Sequence, residues 1–202
     1  MFGKMIFIVL IALSVAAAQT LPLDGEWRFE VDPLNLGVEN GWFSPKFNAA
    51  SWRRVNVPHT WQVDAGFEDY RGVAWYRRSV QVDAAEQAVL RLEFDAVYRD
   101  ADVWVNGQKI GGHYSSGWTP FALDVPVNPS GDYLIAVRAD NRFSETALPF
   151  MDSFDWANDG GIIRSVRLTV LPAAHLHELL VSAQPKDKVA ELHAGVRVSQ
   201  PQ

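Results

Sequence analysis

Ala74-Trp75-Tyr76-Arg77-Arg78-Ser79-Val80-Gln81-Val82, Val89-Leu90-Arg91-Leu92-Glu93-Phe94 and Ala101-Asp102-Val103-Trp104-Val105-Asn106-Gly107 decide the fold. In the second stretch Leu90, Leu92 and Phe94 share one face and Arg91 and Glu93 the other, the pattern of a strand in a sheet with one wet side. Asn106-Gly107 predicts a type I′ hairpin, because both central residues of that turn need positive φ. Lys109 to His113 follows as its return strand. Asn128-Pro129-Ser130-Gly131-Asp132 carries turn chemistry, and Tyr133 to Ala139 reads as a buried strand after it. Strands and turns in this order predict an all-β chain built as an antiparallel jelly-roll sandwich.

Upstream, Leu21 to Val31 reads as an edge strand that opens the sandwich. Asp32 to Asn48, with Pro33, Gly37, Gly41 and Pro45, reads as a long loop. Phe47 to Trp52 suggests a short helical turn before a strand at Val55-Asn56-Val57, which Pro58 stops because proline donates nothing to a ladder. His59 to Gly72 is irregular and polar, and loops of that length are commonly functional or supported by a neighbour. No helix of ordinary length is expected after the leader. Trp27, Trp75 and Trp104 fall in strand patterns and are expected in the half-buried core, so the eight tryptophans do not by themselves mark a carbohydrate platform.

Residues 1–18 read as a secretory signal peptide, with Lys4 before an apolar run over Met5 to Leu13 and small residues at Ala16-Ala17-Ala18. The run is too short to anchor the protein in a bilayer, so an exported, periplasmic or extracellular product with no membrane anchor after cleavage is expected. The chain has no cysteine, which removes disulfides, thiolate metal sites and thiol nucleophiles. A formal net charge of −6 with both signs interspersed disfavours nucleic acid as a partner. The domain expected over residues 19–172 ends near Pro172. Beyond it, His175 to Ala183 and Val189 to Val198 alternate apolar and polar residues around a turn at Gln184 to Asp187. Two strands do not make a stable sheet, so residues 173–202 are expected to begin a further, truncated domain.

Several motifs carry a resemblance: Leu23-Asp24-Gly25-Glu26-Trp27, Trp52 to His59, the Trp75-Tyr76 strand, and Gly160-Gly161-Ile162-Ile163-Arg164-Ser165-Val166-Arg167-Leu168. In this order, over roughly Leu21 to Leu171, the chain resembles the N-terminal sugar-binding domain of glycoside hydrolase family 2, the β-galactosidases, β-glucuronidases and β-mannosidases. The resemblance implies a galactose-binding-like jelly roll followed by the first strands of an incomplete immunoglobulin-like sandwich. It also implies a β-glycoside as ligand and, as partner, a catalytic (β/α)₈ barrel of the same polypeptide that this chain lacks. Family 2 enzymes use two glutamates in a retaining mechanism, with carboxyls about 5–5.5 Å apart, and the acid/base glutamate follows an asparagine. No Asn-Glu dipeptide occurs here. No catalytic residue is therefore expected in the chain, which is read as a fragment inactive by itself.

In the family the first domain sends a loop to the mouth of the barrel, and Phe154 to Ile162 resembles that loop. Asp155 matches the residue whose carboxylate takes a substrate hydroxyl, and a carboxylate accepting from hydroxyls makes charge-assisted bonds about twice as strong as neutral ones. A turn-capping role before Gly160-Gly161 stays open for it. Asn158 and Trp156 complete the candidate substrate-binding set, as support for the loop and as packing against the barrel. Gly160-Gly161 is expected to allow close backbone approach or positive φ. His59 reads either as a hydrogen-bonding group near a domain interface or as a structural loop residue. Gly72 stands where large β-galactosidases with a sodium-assisted site resemble one another in an asparagine, which argues against galactose recognition of that kind. His113, His175, His177 and His193 lack partners at metal-ligand spacing, no phosphate loop or nucleophile elbow is present, and no cofactor is called for. The alternative to a glycosidase domain is a stand-alone lectin-like carbohydrate-binding module.

Overall fold

The structure is a computed structural model and describes residues 18–145, 151, 157–187 and 189–199. The expected signal peptide, but for Ala18, and the candidate residues Asp155 and Trp156 lie outside the described residues. Twelve strands follow one another: β1 Gln19–Pro22, β2 Gly25–Asp32, β3 Arg53–Val57, β4 Val73–Gln81, β5 Val89–Phe94, β6 Asp100–Val105, β7 Gln108–His113, β8 Phe121–Val125, β9 Asp132–Asp140, β10 Val166–Leu171, β11 Leu176–Lys186 and β12 Val189–Val198. Among the described residues the helical content is one 3₁₀ turn, Trp61–Val63.

Two antiparallel sheets face each other, one of four strands in the order β1-β10-β5-β8 and one of six in the order β3-β2-β4-β9-β6-β7. Leu90, Leu92 and Phe94 of β5 are fully buried, and they pack in one core with Trp27, Phe29, Tyr76, Ile135 and Val137 of the larger sheet. Burying each such side chain contributes about 1.5–3 kcal/mol. Asn106 and Gly107 have φ of 50° and 86°, as the I′ turn demands.

The expected single edge strand over Leu21 to Val31 is two strands in two sheets. Gly25, at φ 105°, turns the chain, while the Asp24 carboxylate accepts from Val166 N (2.9 Å) and Ser165 Oγ (2.8 Å). β1 is an edge of the small sheet, and β2 lies inside the large one. The helical turn expected over Phe47 to Trp52 is a succession of tight turns, with Asn48 Oδ1 taking Ala50 N at 2.9 Å. The strand β8 has no counterpart in the sequence reading.

The large sheet is also covered on its outer side. Trp52, Val73, Trp75 and Trp104 form a second buried cluster, closed by Trp42, Phe43 and Phe47 from the loop between β2 and β3. This explains why Val73 to Arg77 is buried without alternation. Arg77 reaches across to the carbonyls of Ser44 (3.0 Å) and Phe47 (3.1 Å) and lies over the Phe47 ring. Trp27 and Trp75 are fully buried and Trp104 nearly so, rather than half-buried.

β11 and β12 pair only with each other, and every residue of β12 is exposed. Leu176, Leu180, Leu192 and Val196 show most of their surface. A hairpin with no buried face opens at low cost. Limited proteolysis of the chain, read by mass spectrometry, should therefore cut within Leu176–Val198 and stop near Pro172, with Tyr133 to Arg138 intact. Equal protection of both regions would contradict the exposed hairpin.

Candidate functional site

Antiparallel pairing brings the ends of β5, β7 and β9 to the same end of the sandwich as the starts of β4, β6, β8 and β10, whereas β3, parallel to β4 across β2, ends at the other. The connections over residues 95–99 and 114–120 and both ends of the connection 141–165 therefore gather there, and the connection 58–72 crosses to it from the end of β3. The candidate substrate loop belongs to this group, and its described part, Ala157 to Ile162, is clamped from both sides.

Gly161 exchanges two hydrogen bonds with Tyr98, N to O at 2.9 Å and O to N at 2.8 Å. Its φ is 142°, and a Cβ there would meet the His59 carbonyl and the Tyr76 hydroxyl. Gly160 lies flat on the Trp61 indole, its N donates to Gln62 Oε1 (2.8 Å), and its carbonyl takes Trp61 N (3.1 Å). Both expected reasons for the glycine pair are present: Gly160 is required by close approach, Gly161 by positive φ and close approach together.

Asn158 is 5% exposed and its side chain is turned inward. Its Oδ1 accepts from Tyr98 Oη at 2.8 Å, its Nδ2 donates to the Asn141 carbonyl, and its own carbonyl takes Asn141 Nδ2 at 2.7 Å. Asn141 in turn holds Gly72 through Oδ1 at 2.8 Å, so Gly72 serves a backbone junction. Asn158 is placed to support the loop. Among the described residues, no three or more His, Asp or Glu side chains gather to hold a metal.

His59 is buried beneath the clamp. Tyr76 Oη takes a backbone hydrogen bond from Ile162 and lies 2.8 Å from His59 Nδ1, while His59 Nε2 lies 3.3 Å from Asp64 Oδ2. A phenol proton donated to Nδ1 puts the imidazole proton on Nε2, facing Asp64. Burial lowers its pKa below 6.5, against the opposing pull of Asp64. Of the two readings left open by sequence, the structural one describes this histidine, whose backbone N also holds Ile162 O at 2.8 Å. Arg99, 3% exposed, leaves Nε and Nη1 without a partner and reaches only Asp100, at 3.3 Å.

Two concavities flank the loop. One of about 290 Å³ is lined by Thr60, Trp118, Asp159, Ile163 and Arg164 among others. The other, about 170 Å³, is polar, with Gln62, Glu68, Asp69, Arg71 and Asn158. Another concavity, about 910 Å³ around Ala88, Val125 and Pro126, opens at the opposite end, away from the loop. Tyr98, Asn141, Tyr76 and Gln62 build the clamp and were not singled out by sequence. Asn141, an amide directly after a long buried strand, is the one with a readable signal.

The match to known sequences falls on this framework: residues 21–172 fit the glycosyl hydrolases family 2, sugar binding domain. This chain belongs to that family. The family 2 domain is 35% identical over 162 residues to a putative β-glucuronidase of Formosa agariphila, covering 75% of this chain and 19% of the relative. It is 31% identical to a β-galactosidase of Thermoanaerobacter pseudethanolicus, covering 83% of this chain and 23% of the relative. It spans about a fifth of the length of these curated relatives. A solved β-glucuronidase from an uncultured Clostridium superposes with a TM-score of 0.78 at 26% identity, over 95% of this chain and 36% of that one. The β-glucuronidase of Ruminococcus gnavus has the same fold, with a TM-score of 0.79 at 24% identity over 94% of this chain and 34% of that one.

Removing the Asn158 side chain in Asn158→Ala strands the Tyr98 hydroxyl and the Asn141 carbonyl in the interior, and each such group costs about 1–3 kcal/mol. Thermal denaturation should show a loss of about 2–4 kcal/mol, or a Tm lower by about 5–10 °C. An unchanged Tm would remove Asn158 from the clamp.

His59 supplies a pH signature. Its folded pKa lies below the unfolded value of 6.5, so the unfolded chain binds the proton more readily. The neutral ring's contribution is complete above 6.5 and is lost as pH falls through the folded pKa. Melting temperatures measured downward from neutral pH should fall, and His59→Asn should flatten the part of that fall that begins near 6.5. Parallel profiles for the two proteins would show that His59 does not titrate between the folded and unfolded states.

Proposed function

We propose that this domain is the N-terminal, non-catalytic part of an exported, retaining family 2 β-glycosidase, and that it holds the Asp155 loop against a β-glycoside bound in a (β/α)₈ barrel elsewhere in the polypeptide. The family match over residues 21–172 carries the reading, and the clamp at Asn158, Gly160 and Gly161 supports it. A loop that must place one carboxylate against a substrate needs a fixed base, since small misplacements forfeit most of the benefit of positioning. The names of the relatives point to β-glucuronides as the first substrates to test. Export rests on the reading of residues 1–18, and the residues after Pro172 are read as the start of an immunoglobulin-like sandwich.

Residues 19–202 purified alone should hydrolyse no aryl β-glucuronide or β-galactoside above a heat-killed control. Turnover would overturn the non-catalytic assignment. In the full-length enzyme, Asp155→Ala should lower kcat/KM by about 10- to 150-fold, the equivalent of a charge-assisted bond of about 1.5–3 kcal/mol, with Tm unchanged. If Asp155 only caps a turn, the same variant will lose about 0.5–2 kcal/mol of stability and keep its kinetics.

A further inference from the structure

Of the tryptophans among the described residues, Trp118 alone is exposed, at 48%. The others serve the two cores or close the outer one. Trp118 is not loosely held. Its turn is tied by His113 Nε2 to the Ser116 carbonyl (3.0 Å) and to Thr119 Oγ1 (2.9 Å), and Ser116 Oγ meets Thr119 Oγ1 at 2.7 Å. Its ring rests on Tyr98, centroids 5.4 Å apart, and Tyr98 carries the Asn158 bond of the clamp. Trp118 thus presents about half of its surface on a turn that hydrogen bonds hold in place.

The indole borders the concavity of about 290 Å³ together with Arg164, Asp159 and Thr60. Arg164 is exposed. No ion pair or hydrogen bond joins Arg164 or Asp159 to another group among the described residues. An aromatic face takes the apolar face of a pyranose ring, a carboxylate accepts from vicinal hydroxyls, and a planar guanidinium reads a planar carboxylate in bidentate fashion. The volume is at the lower end of the range of about 300–1,000 Å³ for small-ligand sites, which suits one ring rather than a chain.

We propose that Trp118, Asp159 and Arg164 form a subsite for a single carboxylated sugar unit, a hexuronate ring, beside the loop and separate from the bond to be cleaved. Trp118 supplies the platform, Arg164 takes the carboxylate, and Asp159 and Thr60 take hydroxyls. The choice of a sugar rests on the glycosidase reading above; the choice of an acidic one rests on Arg164.

The test is a titration of the full chain followed by the indole N–H resonances in ¹H–¹⁵N spectra, with Trp118 assigned from Trp118→Phe. Methyl β-D-glucuronide should give a saturable shift of the Trp118 signal, and methyl β-D-glucoside the same shift with affinity about tenfold weaker, the factor that about 1.4 kcal/mol gives. Arg164→Gln should bring the two ligands to equal affinity without loss of the glucoside response. Trp118→Ala, followed by isothermal titration calorimetry because its indole signal is gone, should bind neither sugar, and Trp118→Phe, followed in the same way, guards against misfolding, because it keeps a ring on Tyr98 and should retain weakened binding. Silence of the Trp118 signal with both sugars, as expected if the concavity docks polypeptide instead, overturns the proposal, and so does a preference that survives in Arg164→Gln. The readout involves no hydrolysis, so its failure is distinct from a failure of the Asp155 kinetics.

Discussion

No side chain fits where Gly160 and Gly161 cross the end of the sandwich, and that constraint organises the rest of the site. A Cβ on Gly160 would enter the Trp61 ring, and one on Gly161 would strike the His59 carbonyl and the Tyr76 hydroxyl. The crossing joins both sheets, because His59 follows a strand of the large sheet and Ile162 leads into β10 of the small one, while Tyr98 bridges the connection between them. Backbone contact this close replaces side-chain packing with hydrogen bonds, and Gly161 and Tyr98 satisfy each other fully. The candidate substrate loop therefore starts from a base hydrogen-bonded to the connections of both sheets.

Stiffness at that end is obtained with polar groups, which cost more to bury than apolar ones unless each finds a partner. Asn158, Asn141, His59 and Tyr76 meet that condition among themselves and the nearby backbone. Arg99 does not, with two guanidinium nitrogens bare. Arg77 Nε and His175 Nε2 are likewise buried without a hydrogen-bond partner among the described residues, but Arg99 lacks two and lies next to the clamp.

The sequence was most readable where one interaction dominates. Alternation in β5 and the Asn106-Gly107 turn each depend on neighbours a few residues away, and both stand as read. The failures share a cause, since each depends on a distant partner. Leu21 to Val31 looks continuous until Asp24 finds Ser165 and Val166, far along the chain. Val73 to Arg77 loses its alternation because the loop carrying Trp42 and Phe47 folds back over the outer face. Phe121 to Val125 alternates too weakly to be noticed until it pairs with β5. At the site, Asn158 and the glycine pair were visible as a motif, but Tyr98 and Gln62 were not, because nothing local distinguishes a residue that will meet a loop 60 to 98 positions away.

The terminal hairpin and the sandwich are held in different ways. β11 and β12 make a full ladder with each other and bury nothing, so their hydrogen bonds contribute little net stability against the entropy of ordering twenty-odd residues. The sandwich needs nothing from them. Its larger sheet is packed on both faces, by the main core inside and by the tryptophan cluster outside, and the clamp is anchored to strands of both sheets. The clamp on Asn158, Gly160 and Gly161 is thus made by residues within 19–172.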